Sequence, residues 1–305
     1  MQPCAPTRAS RVAPPSVGAS RDRARPARMP PPARASPPAR ASPSYAPECP
    51  PEAVRDDGWV GVVGIGSLLS ERSARHTSPN LRGFKTVRLR GYRRVFAHTA
   101  PVFFERGIAD GKSREISSLS MEALEPGDDP REAHGPCGLV ATYFEIPGAE
   151  FPALAAREAE FELRAVTYED DGDDEGSSDG KKAILCVRSS DAAYVERHCE
   201  RTKGTGGGDG SRGVECGCVA CVLRGFGEER IWYPRRRSPP AVYPTRAYAR
   251  HCVLAAESLG PDALASFLDH TFLADRRTTL RTHLERNPSL METPPPPELA
   301  ERYGG

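Results

Sequence analysis

No part of this 305-residue chain stays apolar for long: the longest run free of charge, Trp59 to Leu69, is broken by three glycines. Crossing a bilayer as a helix takes about 20 apolar residues, so the run reads as a buried strand and no membrane partner is expected. A disulfide framework is missing too, because the nine cysteines are odd in number and follow no regular spacing. In a chain long enough to bury a real core, they read as thiols in a reducing compartment. Charge of one sign is also lacking, since the formal net charge is only +1. That balance is uneven: residues 1–50 hold eight arginines against Asp22 and Glu48, and the remainder carries −5. An acidic body offers no electrostatic footprint for phosphate backbones, so no nucleic-acid partner is expected. There is no internal repeat of solenoid or propeller period.

What is present falls into three regions. Residues 1–50 are Ala, Pro, Arg and Ser, with thirteen prolines and no apolar core of the secretory kind. They read as a disordered segment like an organelle transit peptide, with a plastid address preferred to a mitochondrial one because the prolines oppose an amphipathic helix. A proline-rich linker and a cytoplasmic protein are the alternative. Residues 57–286 read as one domain with loop insertions at about 169–182 and 203–222, and 287–305, with four consecutive prolines at 294–297, as a disordered tail. Within the domain, strands are expected at Gly58–Ile65, Val87–Phe96, Val102–Phe104, Ile116–Met121, Leu139–Ile146, Leu163–Tyr168 and Ala183–Arg188. Helices are expected from Leu68 to His76, Glu150 to Glu160 and Asp191 to Cys199, with Asp191 as cap, then across three C-terminal stretches. The first of these carries Tyr248, Cys252, Ala255 and Leu259, the second Leu264, Phe267, Leu268 and Leu273, and the third is capped by Asp275. The class is therefore mixed α/β (α+β).

Two stretches could carry chemistry. The first strand runs into Gly64-Ile65-Gly66-Ser67-Leu68-Leu69, half of a dinucleotide fingerprint. Leu69 occupies the place of the third glycine, and no acid stands in Phe84–Arg90 to take ribose hydroxyls, which excludes that reading. What remains is a loop whose glycines let backbone approach a ligand and whose successive N–H groups suit a carboxylate; a plain structural turn is the alternative. The second stretch, Arg157-Glu158-Ala159-Glu160-Phe161-Glu162, places three carboxylates where a helix hands over to a strand. A carboxylate buried there would have its pKa raised by desolvation and could shuttle a proton.

In order and spacing, Ile65-Gly66-Ser67-Leu68 after the first strand and Arg157-Glu158-x-x-Phe161 about ninety residues later resemble the gamma-glutamylcyclotransferase-like (AIG2-like) family. Tyr248-x-x-x-Cys252 and Phe267-Leu268-x-x-Thr271-Phe272-Leu273 are similar to a plant and algal branch of it, and the resemblance spans roughly residues 59–285. It implies a small mixed-sheet barrel surrounded by helices and cleavage of a small-molecule gamma-glutamyl substrate to 5-oxoproline without metal or cofactor. It further implies that Ile65, Gly66, Ser67 and Leu68 hold the substrate and that Glu158 is the catalytic acid–base, with Glu160 in reserve. The family tyrosine ahead of Gly-Ser is Ile65 here. A non-catalytic binding protein on the same fold is the alternative.

Cys216-x-Cys218-x-x-Cys221 is spaced closely enough to hold zinc, though its irregular pattern favours free or redox-labile thiols; a zinc- or redox-responsive interaction protein is the third reading. Asp171-x-Asp173-x-Glu175-Gly176 is similar to the start of a calcium loop, but Lys182 stands where the bidentate carboxylate belongs, so it reads as a solvated loop. Trp232-Tyr233 reads as a core anchor and Arg235-Arg236-Arg237 as a solvated loop. His251, His270 and His283 read as packing or pairing groups.

Overall fold

The structure, a computed structural model, describes residues 48–170, 181–198, 223–224, 227, 230–235 and 239–304. All of these lie in one compact unit, Ser42–Gly305. Among the described residues ten strands form one mixed sheet: β1 (Trp59–Gly64), β2 (Arg82–Leu89), β3 (Tyr92–Thr99), β4 (Glu115–Ala123), β5 (Leu139–Pro147), β6 (Glu162–Thr167), β7 (Glu169–Asp170), β8 (Lys182–Val187), β9 (Tyr243–Pro244) and β10 (Thr271–Leu273). Their order is β10-β3-β4-β8-β1-β5-β2-β7, with β6 added on β8 and β9 on β4. The expected mixed α/β class holds.

The valine-rich β1 is central, as its composition requires. It runs antiparallel to β5 with Val62 opposite Phe144, and parallel to β8 with Val62 opposite Ile184. Alternation sends Val60 and Val62 to one face, against Phe144, Phe151 and Leu154, and Val63 to the other, among Val87, Leu89, Leu139 and Leu185. No described helix is long and apolar enough to cross a membrane.

The helices that matter for the site are α1 (Glu71–Thr77), α2 (Pro101–Glu105), α3 (Pro130–His134), α4 (Phe151–Arg157), α5 (Asp191–His198), α6 (Arg246–Ser258), α7 (Pro261–Asp269) and α8 (Leu280–Arg286). Helix α6 buries Ala249, Cys252, Val253 and Ala256 against Leu69, Phe96 and Leu119, a stripe at three- and four-residue steps. Gly260, with φ of 106°, makes the break before Pro261 opens α7.

Several expectations change. Val87–Phe96 is two strands, because Gly91 turns the chain at a φ of 76°. Val102–Phe104 lies in α2, where Pro101 supplies a favourable first helical position and overrides strand composition. Leu273 ends β10 rather than continuing a helix. Helix α5 is capped by Ser190, whose Oγ accepts from Ala193 N at 3.1 Å, while Asp191 accepts from Trp232 N at 2.9 Å. Helix α8 is capped by Thr279 and not Asp275, whose carboxylate instead closes the preceding turn through the Arg277 and Thr278 amides. The tail is not a frayed end: two short helices, Ser289–Glu292 and Ala300–Tyr303, bury Leu290 and Tyr303. Cys137 is disulfide-bonded, which corrects the expectation of nine thiols, since cysteine spacing alone does not reveal pairing; Cys49, Cys186 and Cys252 are thiols.

Where β1 ends, the packing leaves no room for a side chain. A Cβ on Gly64 would stand 2.5 Å from Thr142 Oγ1 and 2.8 Å from Leu68 O, the two atoms joined by a 2.8 Å hydrogen bond that ties β5 to the loop. Gly64→Ala is therefore expected to destabilise the fold by about 1–3 kcal/mol, read as a lower urea midpoint at unchanged slope. An unchanged midpoint would contradict this close approach.

Candidate active site

Past Gly64 the chain turns through Ile65 and Gly66 into a 3-10 turn, Ser67–Leu69. The turn is held from beneath by Arg94 of β3, a fully buried guanidinium with no carboxylate partner among the described residues. Its Nε donates to Ile65 O at 3.0 Å, another nitrogen donates to Val140 O, and the group lies over the Phe267 ring at 5.3 Å. Burial pushes its pKa down to about 9, so it stays cationic at neutral pH. Arg94 thus turns the Ile65 carbonyl inward. The Ile65 side chain is half-buried between the two main clusters, while the Gly66 and Leu68 amides have no backbone acceptor among the described residues.

Ser67 differs, because its backbone and the Tyr248 hydroxyl lie close enough to Cys252 to hold the thiol's pKa down against the larger, opposite push of burial. Tyr248 and Cys252 lie one turn apart on α6, on the face that meets the loop. A Cβ on Gly66 would stand 3.3 Å from Tyr248 Oη, 3.4 Å from Cys252 Sγ and 2.9 Å from Leu119 Cδ2. Glycine at 66 is what lets these side chains reach the backbone. Burial pushes the Cys252 thiol up to about 12 and raises the Tyr248 phenol well above its ordinary range, so both are neutral donors at physiological pH.

The carboxylates come from the turn after α4. Glu158 is the C-cap residue of that helix, and its carboxylate accepts from Arg157 Nε at 3.1 Å with 26% of the side chain exposed. Burial comes first in raising the Tyr248 phenol and the Cys186 thiol of β8, and Glu158 adds its negative charge to both shifts. Glu158 is therefore within electrostatic range of both groups. Glu160 is half-buried as a residue, with its carboxyl end the enclosed part. Desolvation, with a smaller repulsion from Glu158, pushes its pKa up to about 7. The buried, proton-holding acid expected of this cluster is thus Glu160, and the acid electrostatically linked to the loop side is Glu158.

Phe161 anchors the turn that carries both. Its ring packs on His98 at 4.6 Å and edge-on to Trp232 at 5.2 Å, and its amide donates to Glu158 O at 2.9 Å. Trp232 and Tyr233 are core residues, as expected. His98 is buried and held near pKa 3 by desolvation, so it is a neutral packing group. His251, His270 and His283 bond or stack on Ser73, Glu132 and Tyr243.

Sequence reasoning brought Ile65–Leu68 and Glu158 forward and passed over Arg94, Tyr248 and Cys252 as site residues. The signal for the last two was their i, i+4 spacing, which reads equally as core. Cys216, Cys218 and Cys221, the acidic loop 171–180, and Arg236 and Arg237 lie outside the described residues. Among the described residues no cluster of His, Cys, Asp or Glu is arranged to hold a metal ion.

No protein-family model and no curated protein matches the chain. Among the solved structures similar to parts of it are two with the following likeness. One, of an uncharacterized protein from Homo sapiens, is 12% identical with a TM-score of 0.30 and covers 43% of this chain and 68% of that one. The other, a gamma-glutamyl cyclotransferase, is 11% identical with a TM-score of 0.29 over the same shares, 43% and 68%.

Proposed function

We propose that the chain is a gamma-glutamyl cyclotransferase, releasing 5-oxoproline from a gamma-glutamyl amine, amino acid or peptide, glutathione included. The observation that carries this reading is the convergence at the end of β1 of the Gly66 and Leu68 amides and the Tyr248 hydroxyl beside Gly66, with Glu158 within electrostatic range of that hydroxyl.

In this reading the two amides bind the substrate α-carboxylate. The substrate then lies folded, with its α-amine against its own γ-carbonyl carbon, which makes the attack intramolecular and supplies most of the advantage. Of the two protons that the α-ammonium sheds in becoming the ring amide, one goes to water and Glu158 accepts the other as the ring C–N bond forms. It returns that proton to the departing nitrogen as the γ-amide bond breaks, general base and then general acid work by one group. Tyr248 stands at the loop as a neutral donor to the oxyanion that develops on the γ-carbonyl, the place for which Ile65 has no hydroxyl. Arg157, whose Nε donates to Glu158 at 3.1 Å, orients that carboxylate between turnovers. We place the protein in a plastid, with residues 1–50 as its address.

The Arg157–Glu158 pair and Ile65 together favour one second reading, a pocket that binds gamma-glutamyl compounds without turning them over. A blocked substrate separates the two. Gamma-glutamyl-alanine should release 5-oxoproline, and its N-acetyl derivative, which lacks the nucleophile, should release none. Binding of both without release from either, followed by calorimetry, would leave only the binding reading.

A further inference from the structure

Alternation along β3 turns Arg94 toward the loop and Arg93 to the opposite face of the sheet. There Arg93 lines a separate cavity of about 620 Å³, together with Arg235, Arg276, Arg277, Asp128 and Asp275, and with Phe272 in its wall. The carboxylates around it are largely committed. Asp128 is bonded to Arg93 and to Arg235, the latter at 2.8 Å. Asp275 accepts from the Arg277 and Thr278 amides and the Thr278 hydroxyl. Asp129 accepts from the Arg131 amide at 2.8 Å, and Glu132 is exposed. Glu122, behind the cavity, serves Arg276 and Arg188.

The cations are not committed to the same degree. Arg93 has a side chain only 7% exposed, yet its Nε has no acceptor among the described residues. A buried charged donor without an acceptor is costly and is normally satisfied by something. Arg277 is exposed at the rim and has no carboxylate partner among the described residues. Among the described residues Arg276 is one of two non-glycine residues at positive φ, 56°, held there by Glu122 and by Tyr233 O at 2.9 Å. The turn that fixes Arg276 and Arg277 at the cavity is therefore strained and over-determined, a combination that recurs at ligand sites.

We propose that this cavity is a binding site for a small oxyanion, a phosphoryl or carboxylate group, with the Arg93 guanidinium in its wall and Arg235 and Arg277 closing on it from the rim. It is built on residues outside the loop site and does not depend on the reaction proposed there.

The test is thermal unfolding of the full chain in potassium phosphate, in citrate and in potassium chloride at matched ionic strength. It is repeated on the Arg235→Ala/Arg277→Ala double variant, both of whose substituted side chains are exposed, and on Glu158→Gln. Wild type should gain about 3 °C in Tm with 20 mM of one anion beyond the chloride control. The double variant should lose that gain, and Glu158→Gln should keep it. A gain from phosphate alone assigns a phosphoryl ligand, and a gain from citrate alone a carboxylate. No gain from either anion, or a gain undiminished in the double variant, would overturn the proposal.

Discussion

Glu158→Gln is expected to lower turnover of a gamma-glutamyl substrate by roughly 100- to 10,000-fold, about 2.7–5.4 kcal/mol of barrier, with the fold intact. The amide keeps the shape of the side chain and can still accept a hydrogen bond from Arg157, so loss of packing does not explain the deficit. What it removes is the ability to take a proton from the α-ammonium and hand it to the leaving nitrogen. Because substrate contacts through the Gly66 and Leu68 amides are untouched, KM should move far less than kcat. The measurement is steady-state kinetics on wild type and variant, with circular dichroism to verify folding. A variant retaining more than a tenth of wild-type turnover would take Glu158 out of the role and pass it to Glu160.

The neighbouring substitution should do nearly the opposite to stability. Glu160 carries a proton in the folded state up to about pH 7, whereas its unfolded value is 4.5. Between those values the folded protein binds more protons than the unfolded chain, so stability falls as pH rises through the window. This group imposes no cost below about pH 4.5 and its full cost above about pH 7, on the order of 3 kcal/mol. Glu160→Gln resembles the protonated acid at every pH. It should match wild type near pH 4.5 and exceed it by about 3 kcal/mol at pH 8.5, read from urea unfolding at the two values. Equal stability of the two proteins at pH 8.5 would show that the Glu160 carboxyl is solvated. If Glu160 instead shuttles the proton, the stabilised variant is the inactive one, and together the two substitutions divide the roles of this carboxyl pair.

The parts of the fold legible in the sequence were those with one dominant physical cause. Trp59–Gly64 had to be central because nothing in it could face water, and the Ala- and Leu-rich stripe of α6 could only be an amphipathic helix. Where two causes competed, composition misled: Val102–Phe104 looks like strand until Pro101 is read as a helix start, and Gly91 divides an apparently single strand. At the site, the loop was visible because glycine and sequence order mark it. Arg94 was not, because an arginine inside a strand pattern looks like an outward-facing one. Its role comes from Ile65 O and Val140 O, which only the folded chain brings to it. The difference between Glu158 and Glu160 was likewise hidden. Two acids two residues apart are equivalent on paper, and the α4–β6 turn, pinned by Phe161 on His98 and Trp232, encloses one and leaves the other paired with Arg157.

The most direct measurement is simultaneous quantification of 5-oxoproline and free amine released by the full chain from glutathione, gamma-glutamyl amino acids and a gamma-glutamyl-lysine amide. The account predicts release of both products in equal amounts from at least one of these substrates. Release of amine as free glutamate accumulates would contradict it, since water rather than the substrate's own amine would then be the nucleophile, and so would the absence of any release by folded protein.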